Sequence, residues 1–119
     1  METVVKTDFF ELYIDKDKNR LYSIIKGFWY DEKFLDNYIF DQREALSHLK
    51  PGFTMIVNLV DFKIMPDPFI EKEKRAQKDL REKGLFRVAE LVPKSEIARD
   101  QLGKVSRENK MPNRQFSNL

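Results

Sequence analysis

The chain has 119 residues, of which 41 % are hydrophobic and 35 % are charged, and its net charge at neutral pH is +2. This length supports one domain with a single core, so residues 1–119 are treated as one unit. No apolar run approaches the ~20 residues of a membrane-spanning helix, and stable membrane insertion is not expected. The N-terminal stretch METVVKTDFF is too acidic for a secretory signal. Cysteine is absent, which excludes thiol chemistry and makes the cytoplasm the expected location.

Charge is distributed unevenly along the chain. Residues 1–61 carry eight Lys/Arg and eleven Asp/Glu, whereas residues 62–119 carry fourteen and nine. A basic second half can guide an acidic partner to one side of a protein. The basic residues are interleaved with acids, however, which favours a solvated surface over a nucleic-acid-binding site. We therefore expect no nucleic acid among the partners, and a nucleic-acid or anionic-membrane binder is a lesser alternative.

The first two predicted elements are strands. The segments FFELYID and RLYSIIKGF flank a polar turn and predict an antiparallel hairpin. The turn begins like a calcium-binding loop, with Asp15, Asp17 and Asn19 at the first ligand positions. Arg20 then stands where that loop needs glycine, and Lys26 where it needs a bidentate glutamate. The segment therefore predicts a turn and no metal site.

A helix is predicted from about residue 31 to residue 50. Asp31 is a good N-cap, and Tyr30 and Leu35 stand at the two positions of a hydrophobic staple. Pro51 and Gly52 are expected to end the helix. The remaining apolar positions recur every three or four residues and predict one face turned to a core. This face comprises Leu35, Tyr38, Ile39, Gln42, Ala45, Leu46 and Leu49.

The second half of the chain alternates strands with helices. FTMIVNLV predicts an interior strand, either covered on both faces or central in the sheet. Residues 68–83 predict a helix that ends at Gly84, and LFRVAELV a further strand. Ser95 is a plausible N-cap for a third helix, and residues 109–119 form a polar tail or a short extra strand. The order β-β-α-β-α-β-α predicts an α/β fold with a mixed, four- to five-stranded sheet flanked by helices.

Residues suited to catalysis or cofactor binding are scarce. The single histidine, His48, is expected in the last turn of the first helix, where an imidazole suits the negative helix end. One histidine and no cysteine make a zinc site improbable, and the four glycines are not spaced as a phosphate-binding loop. We expect no enzyme, no catalytic residues, no metal and no cofactor. An enzyme that uses surface carboxylates is a lesser alternative.

Four segments resemble the sulphate-transporter and anti-sigma-factor-antagonist (STAS) family, in particular its small stand-alone bacterial members. They are IIKGFWYDEKF, MIVNLVDF, IMPDPFI and KGLFRVAELVPKSEIA, and with the opening hairpin they cover most of residues 9–108. The resemblance implies a regulatory domain in which a serine near the start of the second helix is phosphorylated. Pro68 stands at that position here, and no hydroxyl occurs between Thr54 and Ser95.

The loop IMPDPFI has its own physical interpretation. Pro68 at the first helical position has no N–H to offer an anion. The Asp67 side chain is predicted to accept the amides of the next turn, and its charge repels added phosphate. This pattern predicts a permanently capped helix start.

These observations predict a non-catalytic protein-interaction or regulatory domain of STAS-like type that lacks the phosphorylatable serine. The predicted interaction residues surround the start of the second helix: Asp61, Lys63, Met65, Asp67 and Phe69. Trp29 is a possible exposed aromatic anchor, although packing at the helix entry is the stronger interpretation of the aromatic run FWY. STAS proteins commonly end in a further strand and a long helix, whereas this sequence stops at RQFSNL. A strip of core left exposed there would favour a homodimer. The alternative function is a carrier for an apolar small molecule or lipid, favoured by the ten phenylalanines.

Overall fold

The computed structural model describes residues 1–64, 66–108 and 110–116. Three helices and a six-stranded sheet form the fold, and a two-stranded sheet lies beside them. The strands are β1 (Glu2–Lys6), β2 (Phe10–Asp15), β3 (Arg20–Ile25), β4 (Gly27–Phe28), β5 (Thr54–Asn58), β6 (Phe62–Ile64), β7 (Arg87–Leu91) and β8 (Asn113–Phe116). The helices are α1 (Glu32–Leu46), α2 (Ile70–Lys83) and α3 (Glu96–Glu108), and a 3₁₀ turn (Asp67–Phe69) precedes α2.

The main sheet is mixed and has the order β1-β2-β3-β5-β7-β8. β1, β2 and β3 are antiparallel, whereas β3, β5, β7 and β8 run parallel to their neighbours. Three successive crossovers therefore proceed in one direction along the sheet, each through one helix. Because such crossovers are almost always right-handed, all three helices are expected on the same face of the sheet.

The burial pattern agrees with this arrangement. Strand residues that face the helices join the buried side chains of α1, α2 and α3 in a single hydrophobic cluster. One row across the sheet shows the pattern: Leu12, Ser23, Val57 and Glu90 are cross-strand neighbours, and all four are buried. The hydroxyls of Ser23 and Tyr38 lie 2.8 Å apart, which joins this row to α1. The core therefore lies between one sheet face and the helix layer.

Helix α1 matches its predicted face and differs at its end. The Asp31 carboxylate accepts the Lys33 amide at 2.9 Å, so the predicted N-cap is confirmed. Every residue of the predicted apolar face is buried. The helix ends at Leu46, four residues early, because the Ser47 hydroxyl donates to the Glu44 carbonyl and closes the last turn. His48 consequently lies in a turn beyond the helix.

The predicted α/β class, a mixed sheet flanked by helices, is confirmed. The sheet has six strands, one more than the upper end of the predicted range, because β1 and β8 add an edge strand at each side. β8 shows that part of residues 109–119 is the short extra strand foreseen as one of two possibilities. No helix among the described residues is both long and apolar enough to cross a membrane.

Candidate interaction surface

The small sheet formed by β4 and β6 connects the predicted loop to the entry of α1. The two strands are parallel, with Gly27 opposite Phe62 and Phe28 opposite Ile64. The Gly27 amide donates to the Asp61 carbonyl at 2.8 Å. Gly27 has a φ of +78°, a conformation that residues with a side chain seldom adopt. This pairing places exposed Lys63 on the strand next to Phe28.

Four aromatic rings form a cluster at this corner, here called the aromatic patch: Phe9, Phe28, Tyr30 and Phe34. Phe28 and Tyr30 are 51 % and 63 % exposed. Tyr30 meets Phe34 edge-on with ring centres 5.1 Å apart, and Phe9 stacks on Phe34 at 3.9 Å. Phe28 lies 6.4 Å from Tyr30. Tyr30 thus rests on the partly buried rings of Phe9 and Phe34, and Phe28 lies beside Tyr30.

The prediction that Trp29 is an exposed aromatic anchor is wrong. Its side chain is 1 % exposed, and its indole N–H donates to the Lys26 carbonyl at 2.9 Å. The ring packs against Phe62 and Tyr38, with centres 5.9 and 5.7 Å away. The Tyr30 amide donates to the Phe28 carbonyl at 3.1 Å, so a tight turn centred on Trp29 separates its side chain from those of its two neighbours. Trp29 therefore enters the core, as the stronger sequence interpretation held, and its neighbours Phe28 and Tyr30 are exposed.

The residues at the start of α2 differ from the predicted cap. The exposed Asp67 carboxylate accepts from the Gln101 side chain at 3.4 Å. The next two amides, of Phe69 and Ile70, donate to the backbone carbonyls of Pro66 and Asp67. Because Pro68 occupies the first turn of a 3₁₀ segment, the Phe69 amide bonds to the Pro66 carbonyl. Phe69 is partly buried against the core. The prediction that Asp67 caps the helix with its side chain is therefore wrong.

The loop residues are thus divided between two neighbourhoods. Asp61 and Lys63 are exposed beside the aromatic patch, and the Asp61 carboxylate lies 4.0 Å from the Lys94 ammonium. Asp67 and Phe69 lie at the start of α2, where Asp67 contacts α3 through Gln101. Met65 lies outside the described residues. The aromatic patch with Asp61 and Lys63 is the candidate interaction surface.

A second feature lies in the interior, beneath α2. A cavity of about 50 Å³ is lined by apolar side chains and by two carboxylates, Glu73 and Glu90. Glu90 is 5 % exposed and accepts hydrogen bonds from Asn113 at 2.9 Å and from Gln115 at 3.4 Å. Burial raises the pKa of both carboxyl groups. The pKa of Glu73 reaches about 7, because the nearby Glu90 charge adds to the effect of burial.

Neither glutamate was predicted from the sequence, although the spacing of each to its apolar neighbours indicates a buried position. Glu90 follows Val88 by two residues, and strand periodicity places the two on one face. Glu73 precedes Ala76 and Leu80 by three and seven residues, which places it on the apolar stripe of α2. A charged residue on a buried face is an informative position, because its ionised form is costly to bury.

Metal binding and known relatives give no further indication of function. Among the described residues, no group of three or more His, Cys, Asp or Glu side chains is arranged to hold a metal ion. No protein-family model, no curated protein and no solved structure matches this chain. The resemblance to STAS domains therefore stays a prediction from sequence segments and element order.

Proposed function

We propose that this chain is a non-catalytic protein-interaction domain of regulatory type, which binds its partner through the aromatic patch and the adjoining residues Asp61 and Lys63. The observation that carries the proposal is the pair of exposed rings, Phe28 and Tyr30, which lie side by side. Tyr30 in turn packs against Phe9 and Phe34. Large aromatic side chains dominate binding energy at protein interfaces. Rings that are already ordered lose less conformational entropy when a partner binds.

The chemistry of this surface defines the partner. Exposed aromatic rings require an apolar surface on the other side, and Lys63 at the margin favours an acidic residue at the rim of that surface. Asp61 lies close to Lys94, so its charge is partly compensated within the domain. We expect a partner with a small apolar pocket bordered by acid.

A phosphate switch of the STAS type is not part of the proposal. Pro68 lies in the 3₁₀ turn at the position of the phosphorylated serine in the resemblance, and it has neither a hydroxyl nor an N–H. Asp67 is exposed beside it. Recognition by a fixed surface therefore explains the loop better than regulation by phosphorylation.

The alternative function, a carrier for an apolar small molecule or lipid, has less support. Sites for drug-sized ligands typically occupy about 300–1,000 Å³, whereas the cavity beneath α2 has about 50 Å³. Glu73 and Glu90 also place polar groups at its wall. A lipid chain would need α2 to move away from the sheet.

The proposal is tested by comparing captured proteins between matched variants. Wild-type protein, Phe28→Ser, Lys63→Glu and Phe40→Ser are immobilised, and bound proteins are measured by quantitative mass spectrometry. Phe40 is the control because it is a 73 % exposed phenylalanine on α1, outside the aromatic patch. A protein retained by wild type and Phe40→Ser and lost from the other two is then purified, and its affinity is measured by titration calorimetry.

We expect Phe28→Ser to weaken the purified complex by at least tenfold and Phe40→Ser to leave it within twofold. Equal losses for the two phenylalanine variants would place the interface elsewhere and refute the proposal. Size-exclusion chromatography with light scattering tests whether the chain forms a homodimer: a wild-type dimer that Phe28→Ser converts to a monomer would identify the partner as a second copy of this chain.

A further inference from the structure

The face of the main sheet opposite the helices is uncovered. All three crossover helices pack on the other face. Apart from Leu91 at the end of β7, the side chains of this face are partly buried or exposed even in central strands. Tyr13 and Tyr22 are direct cross-strand neighbours here, and the row continues through Ile56 and Ala89. The face is mixed, because a second row crosses the same strands and is polar: Asp15, Arg20, Thr54 and Arg87. It is open to a partner or a ligand. Here it is called the open face.

Three arginines line a shallow groove of about 450 Å³ on the open face: Arg20, Arg87 and Arg114. Arg20 donates to the Thr54 hydroxyl at 3.0 Å, and the Arg87 guanidinium lies 5.0 Å from the ring centre of Phe86. None of the three lies within ion-pair distance of an acidic side chain in the described part of the chain. Their positive charges are therefore available to a ligand.

The register brings these arginines close together. Arg20 and Arg87 both stand opposite Thr54, on the two strands that flank β5. Neighbouring strands lie about 4.8 Å apart, so the two backbones are about 10 Å apart. Arg114 stands opposite Ala89, two residues along β7 from Arg87. Exposed rings of Phe86 and Phe116 line the same groove.

We propose that this groove binds single-stranded nucleic acid. Guanidinium groups suit the phosphodiester backbone, and aromatic rings on a flat sheet suit the faces of unpaired bases. An acidic peptide would use the arginines and leave the rings without a stacking partner. RNA and DNA share the required phosphate and base chemistry, and the experiment separates them.

This inference departs from the sequence-based expectation of no nucleic acid, for a structural reason. That expectation rested on acids interleaved with bases along the chain. In β7 the acid nearest to Arg87 is Glu90, three residues on, and it points beneath the helices. Strand alternation thus moves this acid away from Arg87, whereas Asp15 stays on the open face as the cross-strand neighbour of Arg20.

The experiment is fluorescence anisotropy of labelled dT15 and rU15 with the full chain. If three phosphates are contacted, log K should fall with log salt with a slope of about −2, an approximately 20-fold loss of affinity between 50 and 200 mM salt. Arg87→Ala/Arg114→Ala should bind at least tenfold more weakly at 50 mM, with its slope reduced to about −0.7. The ratio of the two affinities identifies RNA or DNA as the preferred ligand.

The matched control is Arg75→Ala/Lys78→Ala, which removes two charges from α2 on the helix side. It should stay within threefold of wild type. Phe86→Ser and Phe116→Ser test stacking, because both rings line the groove, and each should weaken binding about fivefold or more. Both side chains are exposed, so neither substitution should unfold the chain. The proposal is overturned by absent binding, by equal losses in the control, by unchanged stacking variants, or by poly-glutamate competing as well as the oligonucleotides.

Discussion

The two faces of the sheet have the same backbone and opposite environments. On the covered face, side chains such as Leu12 and Leu21 are completely buried beneath the helices. On the open face their immediate neighbours Tyr13 and Tyr22 remain partly accessible. The difference arises from topology, because three crossovers in one direction place every helix on one side. Stability should therefore depend on the covered face and binding on the open face, and one strand contributes side chains to each.

The strongest test of this comparison uses adjacent residues of β3. Leu21→Ala should lower the free energy of unfolding by about 3 kcal/mol, because it opens a cavity in the core. Tyr22→Thr should cost about 1 kcal/mol or less, because threonine keeps a strand-favouring side chain at a partly exposed position. Urea unfolding followed by circular dichroism measures both values. Similar losses for the two variants would show that something in the protein covers the open face.

The second test uses the carboxylates on the covered face. The folded state raises the pKa of Glu73 from its ordinary 4.5 to about 7, so folded protein holds this proton more tightly than unfolded protein. The contribution of Glu73 to stability is therefore fully present below about pH 4.5 and is lost as pH rises through 7. Glu73→Gln removes the titration, and we expect it to be roughly 2 kcal/mol more stable than wild type at pH 8.

At pH 4.5, where Glu73 is protonated, the free energy of unfolding of Glu73→Gln should differ little from that of wild type. Urea titrations at both pH values measure the change, and Glu82→Gln on the exposed side of α2 is the control. The control should stay within about 0.5 kcal/mol of wild type at either pH. A Glu73→Gln protein that is less stable at pH 8 would mean that the ionised carboxylate has a stabilising partner.

The third test concerns the helix layer that makes the two faces unequal. Asp31 caps α1 through the Lys33 amide, whereas the two amides that follow Pro68 donate to the backbone carbonyls of Pro66 and Asp67. Asp31→Ala should therefore lower the free energy of unfolding by about 1 kcal/mol. Asp67→Ala should change it by no more than about 0.5 kcal/mol. Thermal and urea unfolding compare the two variants directly. A larger loss for Asp67→Ala would reinstate the cap that the sequence predicted.

How far the sequence could predict this molecule depended on whether the signal was local. The N-cap and buried face of α1 follow from residues three or four positions apart, and both are confirmed. The edge strand β1 was not foreseen, because few of its residues are buried, although it pairs with the adjacent β2. The edge strand β8, one of two predicted alternatives for the tail, pairs with β7 across α3. The cap at Asp67 failed because Pro68 lies in a 3₁₀ turn, whose carbonyl bonds replace those of a regular helix start.

The candidate surfaces were less predictable than the fold. Asp61 and Lys63 were identified as interaction residues, but their association with Phe28 depends on the pairing of β4 with β6 across more than thirty residues. The arginine groove combines β3, β7 and β8, which no local pattern connects. Burial of Trp29 agrees with the stronger interpretation of the aromatic run, which placed it in the packing at the helix entry.

The smallest expected effect is on stability when the arginines of the open face are removed. Arg87 and Arg114 make no ion pair with any acidic side chain in the described ranges. Both line the same groove, so their positive charges repel each other. Arg87→Ala/Arg114→Ala should therefore change the unfolding free energy by less than about 0.5 kcal/mol, with a slight gain at 20 mM salt that disappears at 300 mM. Arg43→Ala is the contrasting variant, because Arg43 pairs with Asp79 at 2.8 Å between α1 and α2. Arg43→Ala should lower the free energy of unfolding by about 0.5 kcal/mol, and this decrease should become smaller as the salt concentration rises. Urea unfolding at the two salt concentrations distinguishes these signs, and a loss above 1 kcal/mol for the double arginine variant would make the open face part of the structural core.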